Sequence, residues 1–231
     1  MCEQNGCNHQ RRNFLIKTLT GGALAGSAAI LPQTAWSLSN IPKDLLPGKS
    51  VFDFRGDVKI DGHKVNAFTF VTSQSTIETG KNSHIIFAVG QDAFVLRSNS
   101  KMKLKGDIDF LSEIKILSGK LLSVFGKRPQ QKQLQLRTKT ATIGIRGTGV
   151  YIEADNEKTY SCCCYGSIEN TANSSQETEI STATHHAPKY VYDKPKDGKH
   201  IVAAGMLNHT DVELALLEAL VGRKVPASFI G

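Results

Sequence analysis

Between Val51 and Glu169 the chain is a succession of short runs broken by turn residues, and this punctuation constrains its fold more than any other feature. Stretches such as "DVKIDG", "SHIIFAVG", "KMKLKG", "EIKILSG", "LQLRTK" and "GVYIEA" are short strand-like runs, with Gly, Asn, Asp or Ser turn residues recurring at intervals of about 8 to 12 residues. Many alternate apolar with polar residues, the period that lines one face of a strand. The predicted fold is therefore mainly β: a sandwich, barrel or coil of many short strands.

Two regions depart from this pattern. At the amino terminus, Arg11-Arg12 and Phe14-Leu15 precede a Gly/Ala-rich apolar run and the small-residue stretch Ala35 to Ser37, the order of an export signal. The run is about 13 to 15 residues, short of the roughly 20 that a membrane span needs. Arg11, Arg12, Phe14 and Leu15 also match a twin-arginine pattern, with Lys17 one place late and Gln10 where Ser or Thr is usual. Residues 1–37 are thus expected to be a signal peptide, 38–50 a linker, and the mature protein periplasmic, without a permanent membrane span if the signal is cleaved. Cleavage removes Cys2 and Cys7.

At the other end, 171–184 is a polar stretch of exposed loop or loosely held strands, and "HTDVELALLEALVGR" follows after a His-containing segment. Thr210 and Glu213 make a capping box, Asp211 suits the first turn, and Gly222 stands where a helix ends. A helix over about 211–221 is predicted, docked on the β body through Val212, Leu216, Ala219 and Leu220, with Leu217 beside them.

The net charge of +7 invites an acidic partner. However, Lys127, Arg128, Lys132, Arg137 and Lys139, the nearest approach to a patch, lack aromatic interleaving or a recognition helix. They are read as a solvated loop and strand face, and no nucleic-acid partner is expected. Nucleophile elbows, phosphate-binding glycine loops, H-E-x-x-H helices and C-x-x-C pairs are all missing, which argues against an enzyme.

The chemistry concentrates in "TYSCCCYG", Thr159 to Gly166. On a strand Cys162 and Cys164 share one side and Cys163 faces the other. Cys162 and Cys164, with His185, His186 and His209, are the candidate metal ligands; Met206 lies nearby. Thiolate and imidazole suit zinc or copper. The alternative for the pair is a labile disulfide, because residues two apart on a strand are near the upper limit for a bridge.

The stretches "STIETGKNSHIIFAVGQDAFVLRSNSKMKL", "ILSGKLLSVFG" and "LRTKTATIGIRGTGVYIEADNEKTYSCCCYGSIEN" resemble the FecR domain family over about Thr76 to Asn170. The resemblance implies a FecR-like antiparallel or coiled β domain over 51–170, with 171–231 a C-terminal extension. It makes Arg146, Gly147, Thr148 and Gly166 a structural signature, and places Cys163 where an apolar residue is usual. With only ten residues before Arg11, no sigma-factor-binding domain is expected. The expected function is that of an exported, non-enzymatic module that binds or senses an unknown envelope protein or ligand; the alternative is a metal-binding or redox-active periplasmic protein using the Cys/His cluster.

Overall fold

The computed structural model describes residues 49–66, 68–107, 110–129 and 133–229. The expected signal peptide, with Arg11, Arg12, Phe14 and Leu15, and most of the expected linker lie outside them. Ser50, at the linker's end, is buried, and its hydroxyl accepts the Val71 N–H at 2.6 Å.

The described residues form strands β1 (Val51–Arg55), β2 (Val58–Ile60), β3 (His63–Lys64), β4 (Thr76–Thr79), β5 (His84–Val89), β6 (Asp92–Leu96), β7 (Ser100–Gly106), β8 (Leu111–Val124), β9 (Leu134–Arg137), β10 (Ala141–Ile145), β11 (Gly149–Ala154), β12 (Lys158–Ala172), β13 (Thr178–Ala183), β14 (Ala187–Lys196) and β15 (Lys199–Ala203), followed by one helix, α1 (Asp211–Leu220). The fold is mainly β, and no helix is described between Thr76 and Asn170. Among the described residues no helix is long and apolar enough to cross a membrane.

Two long strands organise the molecule. The first part of β8 pairs with β7 and β9, and its last part with β6 and β11. Likewise β12 pairs with β11 and β14 up to Tyr165, and with β10 and β13 from Gly166 onward. Each strand passes from one sheet to the other at a glycine of positive φ, Gly119 (+98°) and Gly166 (+88°). A side chain at Gly119 would put its Cβ 2.5 Å from the Cα of Ser100; one at Gly166 would lie 2.9 Å from the Gly147 carbonyl oxygen and from Thr148 Cβ. Glycine is what lets the strands bend there.

The two sheets enclose one apolar core, in which Ile77, Met102, Leu104, Ile114 and Ile143 of the outer sheet meet Phe87, Phe94, Leu121, Ile152 and Cys163 of the inner. The other face of the inner sheet carries a second core of Val95, Leu122, Val124, Tyr151, Tyr160, Cys162 and Cys164 beneath α1. This layering explains the sequence patterns. The inner sheet is covered on both sides, so β6 ("DAFVL") is buried throughout, whereas the outer sheet has one wet face and β7 ("SKMKLKG") alternates.

Helix α1 has the expected capping box: the Thr210 side chain accepts from Glu213 N–H, and the Glu213 carboxylate from Thr210 N–H at 3.0 Å. Its buried face differs from the expected one. Leu214, Ala215, Leu216, Leu217 and Leu220 are buried, while Val212 and Ala219 are only half-buried. The tail explains the wider coverage, since Val225 and Phe229 join the same core. Glu218 is buried too, accepting hydrogen bonds from the Tyr165 hydroxyl and from Arg223 Nε.

Two further expectations are revised. The boundary near 170 falls inside β12, and β13, β14 and β15 extend the sheets, so the polar stretch after 170 is built into the β body. Arg128 is not solvated: its side chain is 7% exposed and is paired with the buried Asp92 carboxylate, whose pKa burial raises against the pull of Arg128.

Candidate metal centre

Cys162 and Cys164 sit where β12 is flanked on both sides, with Cys162 opposite Tyr151 on β11 and Pro188 on β14. Both side chains point into the core beneath α1, and Cys163 points into the core between the sheets. Cys163 is buried beside Thr148 Oγ1, 3.7 Å from its sulfur, and its thiol is pushed up to about 11 by burial first.

Two loops bring histidines to the Cys162/Cys164 side. The turn between β13 and β14 places His186 in the left-handed region (φ 49°) and ties its N–H to the Cys164 carbonyl at 2.9 Å. Between β15 and α1, the Tyr160 hydroxyl accepts from Leu207 N–H and donates to the Gly205 carbonyl, both at 3.1 Å. Asn208 is also left-handed (φ 50°) and reaches Glu153 at 2.7 Å. His209 follows, stacked on the Tyr151 ring with centroids 4.5 Å apart.

As a result one ligand atom from each of Cys162, Cys164, His186 and His209 lies within 4.8 Å of the others. Cys162 Sγ is 3.6 Å from His186 Nδ1, Cys164 Sγ is 3.4 Å from His209 Nε2, and the two nitrogens are 3.2 Å apart. A tetrahedron with zinc bonds of about 2.3 Å to sulfur and about 2.0 to 2.1 Å to nitrogen has edges of roughly 3.6 Å from sulfur to nitrogen and roughly 3.3 Å between nitrogens. The three measured separations are within about 0.2 Å of those edges.

The far nitrogens of both rings are also engaged. His186 Nε2 donates to Asp211 Oδ1 at 2.9 Å, and His209 Nδ1 to the Leu207 carbonyl at 2.5 Å. These bonds orient the rings and leave Nδ1 of His186 and Nε2 of His209 facing inward, where each offers a lone pair once it carries no proton, the arrangement that holds a ligating histidine. Two lone pairs 3.2 Å apart repel unless a proton or a metal ion lies between them. The Cys162 thiol is lowered to about 4, first by the hydrogen bond from Cys164 and then, against burial, by His186 and His209. Burial, with Cys162 beside it, raises Cys164. Burial opposes the imidazolium of His186, but Cys162 and Asp211 outweigh it and raise the pKa.

Of the five residues expected as ligands, the fold gathers four. His185 is not among them: its side chain is 53% exposed, and its Nε2 faces Asp211 Oδ2 at 3.0 Å. Asp211, read from the sequence only as a favourable first-turn charge, turns out to join both histidines to the start of α1. Met206 is exposed.

The residues expected to form a structural signature lie just beyond this site. Gly147 has φ +72°, and buried Thr148 donates to the Tyr165 carbonyl, packing against the bend at Gly166. Arg146 pairs with Glu169 at 3.1 Å on the surface. Gly149 adjoins them: a Cβ there would lie 2.6 Å from the Tyr165 ring.

No family model matches this chain, and no curated protein matches it. Two crystal structures of a candidate anti-sigma factor from Parabacteroides distasonis resemble it, each at 13% identity and a TM-score of 0.46. Each match covers 56% of this chain and 58% of that one. A likeness of that size speaks to neither activity nor partner.

Proposed function

We propose that this chain is an exported, non-enzymatic β protein of the cell envelope whose task is to hold one divalent transition-metal ion, zinc first, at Cys162, Cys164, His186 and His209. One observation carries the reading: four ligand atoms from three separate segments converge within 4.8 Å of one another, and the Cys162–His186, Cys164–His209 and His186–His209 separations are close to the edges of a tetrahedral site. Charge supports it as well, because two thiolates neutralise a divalent ion and the buried site then carries no net charge. All four ligands come from the protein, and both cysteines and His209 are buried. That is the closed arrangement of a structural or sensing site, with no position left for a substrate. An ion there fastens the loop before α1 to β12, so ion binding and helix docking stabilise each other. The FecR-like reading of the β body rests on the sequence resemblance, and export on the amino-terminal pattern.

The test is metal content. Protein purified without chelator is expected to hold about one zinc ion per chain and to take up cobalt(II) with the absorption of a tetrahedral thiolate complex. Cys162→Ser/Cys164→Ser should hold none. Wild-type protein that binds neither zinc nor cobalt would refute the proposal, and stoichiometric copper in place of zinc would correct the choice of ion.

A further inference from the structure

The wet face of the outer sheet, away from the metal site, carries an arrangement that folding alone does not favour. On β7 and β8, Lys103 stands directly opposite Lys115, which in turn stands opposite Arg137 on β9. At the sheet's edge, Lys59 of β2 is directly opposite Lys64 of β3. Like charges facing each other across strands destabilise a sheet. Arg137 has Glu113 at 3.2 Å and Lys101 has Glu78 at 2.9 Å, but Lys59, Lys64, Lys103 and Lys115 have no ion pair among the described residues. In the order β9-β8-β7-β4-β2-β3 these cations lie on both sides of β4, whose Glu78 stands opposite Lys59 and Lys101 and is paired with Lys101, so the surface carries two basic groups with one carboxylate between them.

A second, independent feature follows β3 in the chain. Four residues beyond Lys64, Phe68 is 92% exposed, and Phe70 is 58% exposed. They are held out by a built turn: Asn66 Oδ1 accepts the Phe68 N–H at 2.8 Å, Thr69 Oγ1 accepts the Asn66 N–H at 2.8 Å, and the Asn66 carbonyl accepts the Thr69 N–H at 3.1 Å. The turn's far end is anchored through Val71 to buried Ser50.

We infer that this face docks on the surface of a bilayer containing anionic phospholipid, with the lysines among the headgroup phosphates and Phe68 and Phe70 in the interfacial layer. Unpaired cations on an open sheet match a negative surface, and each basic residue near such a surface adds to binding. A soluble polyanion matches the lysines equally well but offers no hydrocarbon to the two phenylalanines, whereas a bilayer serves both.

The experiment is co-sedimentation of the full chain with vesicles of phosphatidylcholine alone or with one third phosphatidylglycerol. The apolar amino-terminal run is present in every variant, so the difference between variants is the readout. Lys103→Gln/Lys115→Gln should weaken partition onto the anionic vesicles by about tenfold or more, and Phe68→Ser/Phe70→Ser should weaken it comparably. Neither should lower the melting temperature, and both should keep the bound metal, which separates this face from the site beneath α1. Wild type and variants partitioning alike would overturn the inference. So would equal binding to inorganic polyphosphate or a single-stranded oligonucleotide that ignores the Phe changes, which would make the face a polyanion surface.

Discussion

The two faces of β12 differ more than their composition allows one to foresee. Cys162, Cys163 and Cys164 are consecutive, chemically identical and all fully buried. On one face Cys163 lies among Val150, Ile152 and Ile168, where burial raises its thiol to about 11 and leaves it a small apolar residue. On the other, Cys162 and Cys164 meet His186 and His209, and Cys162 is lowered to about 4. The difference lies in what covers each face: an apolar sheet over one, two histidine-bearing loops and a helix over the other. Burial alone does not make a cysteine inert.

That contrast can be broken in several ways, and the largest effect is expected at the cysteines. Cys162→Ser/Cys164→Ser should abolish metal binding, while Cys163→Ala should leave it intact and cost only about 1 kcal/mol of stability. Calorimetry with and without zinc reads both. Free ion at a thousand times its dissociation constant stabilises the wild type by about 4 kcal/mol, and that increment should vanish in the double variant and persist in Cys163→Ala. An equal loss of binding in both would erase the distinction between the faces.

Next is the cover. Leu217, on the buried face of α1, is fully buried, so Leu217→Ala should cost about 2 to 5 kcal/mol in a denaturant titration. If helix docking and the ion are coupled, the same change also weakens zinc binding although Leu217 is no ligand. Unaltered zinc affinity would separate the helix from the site.

Smaller again is the effect of Asp211→Asn, which keeps a polar group against His186 but removes the carboxylate. Loss of such a partner typically lowers metal affinity by about 10- to 100-fold. Competition with a coloured chelator measures it, and an unchanged affinity would mean that the His186 orientation is fixed by its backbone alone. The smallest effect belongs to the expected signature arginine. Arg146 is 61% exposed in its pair with Glu169, so Arg146→Ala should change stability by no more than about 1 kcal/mol and leave the metal untouched.

Local pattern made much of this architecture legible. Alternation marks β7, β9 and β10, and the Thr210/Glu213 box marks the start of α1. Ligand types could be read as well, because few residues bind transition metals and three of the five cysteines stand together at Cys162 to Cys164. Which of them meet was beyond reach. Cys162, His186 and His209 come from separate segments, and strand pairing together with the Tyr160 and Asn208 hydrogen bonds brings them together. His185 and His186 are adjacent and alike; the left-handed backbone at His186, together with its N–H bond to Cys164, turns one inward and leaves the other outside. At 171–184 polarity left loop and loosely held strand undecided; β13 pairs with β12 while leaving Ile180 59% exposed, so the strand has no apolar face to reveal it. Arg128 misled, because its buried partner Asp92 lies 36 residues away.

The central claim is that one face of β12 is a metal centre, and X-ray absorption at the zinc edge of the purified protein tests it most directly. The account predicts a four-coordinate ion with two sulfur neighbours at about 2.3 Å and two nitrogen neighbours at about 2.0 to 2.1 Å, reduced to a nitrogen and oxygen shell in Cys162→Ser/Cys164→Ser. A wild-type spectrum without sulfur in the first shell, or one indistinguishable from that of the double variant, would contradict it.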